Sequence, residues 1–385
     1  VIGLSVGSLF NPLIGLLGHI WFALARPDAL AWSEGQFPFS LVLAAFTLAG
    51  TWRVFPNVRF WFGNPWVISM LFLQLVFLAS IAGAANPAPA WNHYYSFLKY
   101  FVIALLIPLF VTTERELRWL LGVMAFSNAL VGIRFGIFGF SHGGIRVGSG
   151  HGGFLSDNNT LALGLATGLP LIWYAKDLVR HQWQKWAVYL AVGLTIGSVL
   201  QSHSRGGILT LTITLMILVY RSRHKITMLV VLIALTLPMG VLLLDSLSAR
   251  MQTLEDFDSD GSLASRRLYA ITALRVFKDY PVLGLGFGTE NWGLISEKYV
   301  TKASVQHVIH NNYLQMAVDS GIFALLILCW QLWFSSWWLG RAGRRLRKLY
   351  PEQPGKASYA FSLEASLIAF SIGSTFLSRT DYDFY

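Results

Sequence analysis

The sequence predicts an all-α fold, a polytopic transmembrane helical bundle of about eleven to twelve spans with one long outer loop that itself contains helix. Three observations point there. Of 385 residues, 55% are hydrophobic and only 12% are charged, whereas a soluble globular domain is about 25% charged. Apolar stretches of roughly 17 to 25 residues recur along the chain, the length that crosses a bilayer core. Between them, Lys and Arg collect in alternate loops, which is how basic residues flanking membrane spans report orientation.

The spans follow from apolar length and from the charge that closes each one. Segment 3–25 runs to Arg26, and 37–51 to a loop with Arg53 and Arg59. Segments 65–83 and 96–111 come next, the latter followed by Arg115 and Arg118, where 118–140 begins. Segment 160–175 stops at Lys176, Arg180 and Lys185, and 186–201 at Ser202. Segment 207–220 meets Arg221, Arg223 and Lys225; 226–244 leads into the long loop 245–311. Segment 312–338 ends before Arg341, Arg344, Arg345, Arg347 and Lys348, and 358–378 is the last. The basic loops define one side, expected to be cytoplasmic together with the N-terminus, and place 141–158, 202–206 and 245–311 outside. Residues 1–385 read as one integral membrane domain with no tandem repeat and no second soluble domain. No signal-peptide pattern is visible, and the lack of an initiator Met suggests that the first residues are absent. The single cysteine, Cys329, excludes disulfides and cysteine-based metal sites.

Polar residues are scarce, so their clusters carry information. His310-Asn311-Asn312-Tyr313-Leu314, followed by Asp319-Ser320-Gly321, marks the re-entry of the long loop into an apolar helix. Ser202-His203-Ser204-Arg205-Gly206-Gly207 joins two spans at the same face. Arg205 fits either a phosphate clamp, with a fixed charge and a bidentate fork, or an arginine snorkelling into headgroups. Ser265-Arg266-Arg267 opens a helix expected over Leu268 to Phe277; the arginine pair is either an exposed face or half of a diphosphate bracket. Pro281-Val282-Leu283-Gly284-Leu285-Gly286-Phe287-Gly288 then makes a tight Gly-rich turn. An imidazole such as His310 can accept a proton near neutral pH, which suits general-base work.

Other candidates are weaker. His307 and His310 lack the carboxylate or thiolate company of a metal site. Asp256-Phe257-Asp258-Ser259-Asp260-Gly261 imitates a calcium loop, but Arg267 occupies the position where a bidentate Glu belongs. Gly143 to Gly153, carrying Arg146, precedes Asp157-Asn158-Asn159; it is a flexible loop ending in a helix cap, or a wall over a lipid-linked substrate. Arg134 lies inside a span and must find a partner or water. No metal or other cofactor is expected, and no nucleic-acid partner.

Taken in order, Ser204-Arg205-Gly206-Gly207, the Arg266 helix, Pro281-x-x-Gly284-x-Gly286, and His310-Asn311-x-x-Leu314 with a following acid and Gly321 resemble the O-antigen ligase and polymerase superfamily. The resemblance covers about 140 to 335 and is weak before that. Asp157-Asn158-Asn159-Thr160-Leu161-Ala162-Leu163 looks closest to the O-glycosylation ligases of exosortase systems. The resemblance implies an inverting, metal-independent glycosyltransferase at the periplasmic face of a bacterial inner membrane. Its donor would be a glycan on undecaprenyl diphosphate and its acceptor a hydroxyl on a glycan, lipid or protein. It implies that Arg205 and Arg266 hold the diphosphate while His310 deprotonates or orients the acceptor. Arg267, Arg146, Asn311, Asp157, Asn158 and Asp319 are the substrate-binding candidates. Asp319 departs from the Glu usual in that family. The alternatives are a polymerase of the same superfamily and a flippase or transporter. A transporter should place its polar sites at the bilayer midplane, whereas these gather at one face.

Overall fold

A computed structural model describes residues 2–27, 39–54, 62–142, 157–242, 261–299 and 309–376, and among them there is helix and no strand. The helices are α1 (Ile2–Phe10), α2 (Pro12–Ala25), α3 (Phe39–Gly50), α4 (Pro65–Ala82), α5 (Pro87–Phe110), α6 (Glu114–His142) and α7 (Asn158–Ala175). They continue with α8 (Gln182–Gln201), α9 (Arg205–Arg221), α10 (Lys225–Leu242), α11 (Gly261–Asp279), α12 (Glu290–Ser296), α13 (Asn312–Leu349) and α14 (Pro354–Gly373). By length and composition, α4, α5, α6 and α13 can each cross a membrane unaided.

Helix boundaries correct the expected spans in places. Segment 3–25 is two helices, because the Asn11 side chain caps α2 and Pro12, lacking an N–H, takes its first position. The span expected at 96–111 starts earlier, at Pro87, which takes the first helical position after Asn86 without a side-chain cap bond. Arg266 and Arg267 do not open their helix; α11 begins at Gly261 and they lie in its second turn.

Helix α7 is the axis of the bundle, buried along nearly its whole length from Thr160 to Tyr174. Small residues let its neighbours approach, since lipid tails give helices no hydrophobic drive to associate. A Cβ on Gly168 would overlap the Asn128 amide of α6, one on Gly207 of α9 would meet Ala162, and one on Gly373 of α14 would meet Leu163. The basic residues gather at one end. There Arg221 pairs with buried Glu364, Arg347 donates to the Arg221 carbonyl (2.7 Å), and Ser358 donates to Asp177 (2.6 Å).

The outward stripe of α13 works as a ruler. Phe323, Leu326, Trp330, Trp333 and Trp337 are exposed in sequence, then Arg341, Arg344 and Lys348. Aromatic rings favour the membrane interface and cations the headgroups. From Ile322 to Arg341 the helix rises about 28 Å, close to the thickness of a hydrocarbon core. Counted back from Arg341, a core of that thickness would end near Gly321.

At Gly321 the helix breaks, with φ 79 and ψ −173. A break in a buried helix strands backbone groups, which need new partners. The Gly-rich turn supplies them. Leu285 N–H donates to the Val318 carbonyl (2.8 Å), Gly286 N–H to Asp319 (3.0 Å), and Ile322 N–H to Pro281 (2.8 Å). Gly284 and Gly321 both need positive φ, and a Cβ on either would overlap the opposing backbone. Phe287 anchors the turn, stacked on Phe77 at 4.1 Å and set edge-on to Phe97. Asn291 then exchanges two hydrogen bonds with the Asn86 backbone (3.0 and 3.1 Å). Tyr299 donates to Asp279 (2.5 Å), a bond that pushes the phenol up to about 12 and closes α12 against the end of α11.

Gly321→Ala is expected to cost at least about 1–3 kcal/mol from the disallowed backbone region alone, with the clash against Val282 added. Thermal unfolding in detergent measures it. An unchanged midpoint would show that the turn and the break are not coupled.

Candidate functional site

Three helix N-termini converge at the end of the bundle opposite the basic loops. Each has a short polar cap. Asp157 accepts from the Asn159 and Thr160 backbones (2.8 and 3.0 Å), Ser204 from Gly207 (3.1 Å), and Asn311 from Tyr313 and Leu314 (both 3.0 Å). The caps are linked. Ser204 donates to the Asn159 side chain at 2.7 Å, joining the starts of α7 and α9. The Asn312 backbone and side chain donate to Ser374 (2.8 and 3.1 Å), and Tyr313 donates to the Ser371 carbonyl (2.8 Å). Gly206 faces Phe376, two residues after Ser374. The end of α14 thus wedges between α9 and α13. Helix N-termini carry partial positive charge, so three together favour an anion.

Arg205 is the first residue of α9 and half-buried. His310 directly precedes the Asn311 cap and takes the left-handed conformation, φ 60. Its neighbour Ile309 is buried against Tyr269, Val276 and Val318. Helix α11 packs on α13 through that cluster, with Tyr269, Ala273 and Val276 inward. Arg266 lies three residues before Tyr269 and so shares this inward face, half-buried. Arg267 is exposed, on the outward stripe with Ile271, Leu274 and Lys278. Of the two arginines the fold turns Arg266, not Arg267, toward the helix that His310 precedes. Arg205, Arg266 and His310 each interact with other groups of the protein.

Asp319 is not at the surface of this cluster. It is 1% exposed, its carbonyl accepts from Ser80 (2.8 Å), and its carboxylate accepts from the Gln315 amide (2.8 Å). Gln315 in turn accepts from the Ile309 N–H at 3.2 Å. The chain Asp319–Gln315–Ile309 therefore fixes the backbone from which His310 projects. Gln315→Leu should lower turnover several-fold, roughly the loss of one buried hydrogen bond of about 1–1.5 kcal/mol, and should also lower the unfolding midpoint because the buried Asp319 carboxylate loses this donor. Equal turnover in the variant would remove the positioning role.

Asn158, in the first turn of α7, is half-buried at the same end. Arg146, with the Gly-rich segment around it, the acidic turn 256–260 and His307 lie outside the described residues. Two contributors were not chosen from the sequence. Gln315 is one. His203 is the other, left-handed at φ 54 and directly before the Ser204 cap, the position His310 holds before Asn311. Non-glycine residues pay for that conformation, and such residues cluster at functional sites. The shared pattern, histidine followed by a capping residue and a helix, was readable; the backbone angle was not.

Residues 190–329, which hold Arg205, Arg266 and His310, match the family model described as O-Antigen ligase. This segment is an O-antigen ligase domain. Residues 1–177 match a second model, a family of unknown function, which takes in Asp157 and Asn158. No curated protein matches the chain. With its apolar helices, the O-antigen ligase domain makes this a multi-pass membrane protein of O-antigen-ligase-like function.

Proposed function

We propose that the protein transfers a glycan from undecaprenyl diphosphate to an acceptor hydroxyl at the periplasmic face of a bacterial inner membrane, with inversion and without a metal. The observation that supports this reading is the convergence of three helix N-termini, with Arg205 opening one and the left-handed His310 preceding the cap of another, and with Arg266 on the face of α11 that packs on α13. The leaving group of such a transfer is a lipid diphosphate, whose charge grows as the glycosidic bond breaks. Fixed guanidinium groups and oriented N–H dipoles stabilise charge of that kind. The acceptor hydroxyl must lose a proton, and an imidazole held on a fixed backbone can take it. The candidate residues lie at or beside helix N-termini at one end of the bundle, which favours this reading over a transporter with its site at mid-depth.

Incubating the purified protein with a lipid-linked glycan and candidate acceptors tests this. Undecaprenyl diphosphate should be released only when an acceptor hydroxyl is present. Turnover should persist in excess chelator, because arginines supply the charge that a metal provides elsewhere. Loss of activity in chelator, restored by magnesium or manganese, would exclude the metal-free mechanism.

A further inference from the structure

Arg134 stands alone in a place where arginine is expensive. Helix α6 meets α8 through Gly132 and Gly136, each of which would clash with α8 if it carried a Cβ. Arg134, two residues from both, points the opposite way and is exposed. Along its stripe lie Phe126, Ile137 and Phe138, all exposed and apolar, so this face of a membrane-crossing helix looks into lipid. Trp119, exposed beside Arg118, marks the basic end of α6. Arg134 is about 22 Å above it, roughly 7 Å inside the far edge of a ~30 Å core. A guanidinium at that depth can extend toward the headgroup level near the candidate site, but it needs an anion there.

Among the described residues none is brought to it. The acidic residues of α6, Glu114 and Glu116, lie at its other end. Helices α2 and α8, packed on α6, contain no Asp or Glu. On α7 and at its ends, Asp157 caps the N-terminus and Asp177 is bound at the basic end. Among the described residues, the guanidinium of Arg134 lies over the Phe135 ring at 5.5 Å.

We propose that Arg134 holds the phosphate of a lipid lying against the outer flank of α6, and that this lipid is the polyprenyl-diphosphate donor approaching the site from within the bilayer. The donor clause rests on the function proposed above. A diphosphate offers the guanidinium fork two phosphoryl groups, and the apolar Phe126, Ile137 and Phe138 beside it give a lipid chain a surface to lie on.

The test uses the whole protein in nanodiscs of phosphatidylcholine, with undecaprenyl diphosphate or phosphatidylglycerol as the added probe. Native mass spectrometry reads the lipid retained by the wild type, Arg134→Leu and Arg134→Lys. Arg134→Leu should hold undecaprenyl diphosphate about tenfold more weakly, the scale of one charge-assisted contact. Arg134→Lys, which keeps the charge and loses the fork, should recover only part of it, and phosphatidylglycerol should change little. In the transfer assay, Arg134→Leu should raise KM for the donor with kcat kept. Equal retention of the diphosphate by wild type and Arg134→Leu would overturn the proposal. An equal loss of phosphatidylglycerol would also overturn it, by making the site one for bulk phospholipid. If Arg205→Ala lowers transfer while Arg134→Leu does not alter KM, only the flank site fails. If the wild type retains no diphosphate lipid at all, the donor reading fails with it.

Discussion

His310→Ala should lower turnover by roughly 100-fold or more while leaving donor binding nearly intact, the loss expected for a missing general base. The backbone around residue 310 makes the experiment interpretable. Ile309 is anchored by the Gln315 side chain and Asn311 by its own cap, so the chain on either side holds without the imidazole. Alanine would still carry the strain of φ 60, and part of any loss could come from the fold. His310→Gly separates the two effects. Glycine takes that conformation without penalty, so the variant should unfold no earlier than the wild type and still turn over slowly. Donor affinity comes from equilibrium binding of undecaprenyl diphosphate, and turnover from its release during transfer. A His310→Gly enzyme that folds and works normally would rule out the base. Deprotonation would then fall to another group, of which left-handed His203 is the nearest in kind.

Much of the scaffold was legible because membrane helices are specified by coarse quantities. Apolar length locates a span, and Lys and Arg mark the side on which it ends. The basic loops after α7, α9 and α13 do collect at one end in the structure, around the Arg221–Glu364 pair. Finer features depend on contacts the sequence does not display. A helix cap and an anion or hydroxyl site use the same short polar side chains, so the sequence leaves both readings open at Asp157 and offers Asn311 as a ligand-binding residue; the hydrogen bonds to the following N–H groups show that each caps its helix. Arg266 and Arg267 differ by one residue, about 100° around a helix, so choosing between them required knowing that Tyr269 and Ala273 face α13. The Asn11-Pro12 break carried a readable start signal inside a hydrophobic run. The Pro281–Gly288 turn and the Asp319–Gly321 segment stood out separately as motifs. That they are one object, a backbone splint on a broken helix, rests on hydrogen bonds between residues more than thirty positions apart.

Arg205→Ala should fail differently from the histidine variants, weakening donor binding and transfer together, with transfer down by about 10²–10³. Arg205 begins α9, where its charge adds to the dipole of that helix and to that of α7, joined to it through Ser204 and Asn159, with α13 held alongside by the end of α14, whose Ser374 accepts from Asn312 and whose Phe376 meets Gly206. Removing the guanidinium leaves the Ser204 cap and the Gly207–Ala162 packing in place, so the fold should survive. Arg205→Lys keeps the charge and loses the planar fork, and should recover only part of the binding. The α11 arginines supply an internal control. Arg266→Ala should behave like Arg205→Ala because the inward face of α11 is turned to α13, whereas Arg267→Ala, on the outward stripe, should stay within about twofold of wild type. The same donor-binding and transfer measurements decide all four variants. If Arg267→Ala proved the damaging change, α11 would have to present its other face to the substrate, and the diphosphate bracket built from Arg205 and Arg266 would be wrong. If Arg205→Lys matched the wild type, a point charge would suffice at the start of α9, and recognition of the diphosphate would rest on the helix N-termini and not on the fork.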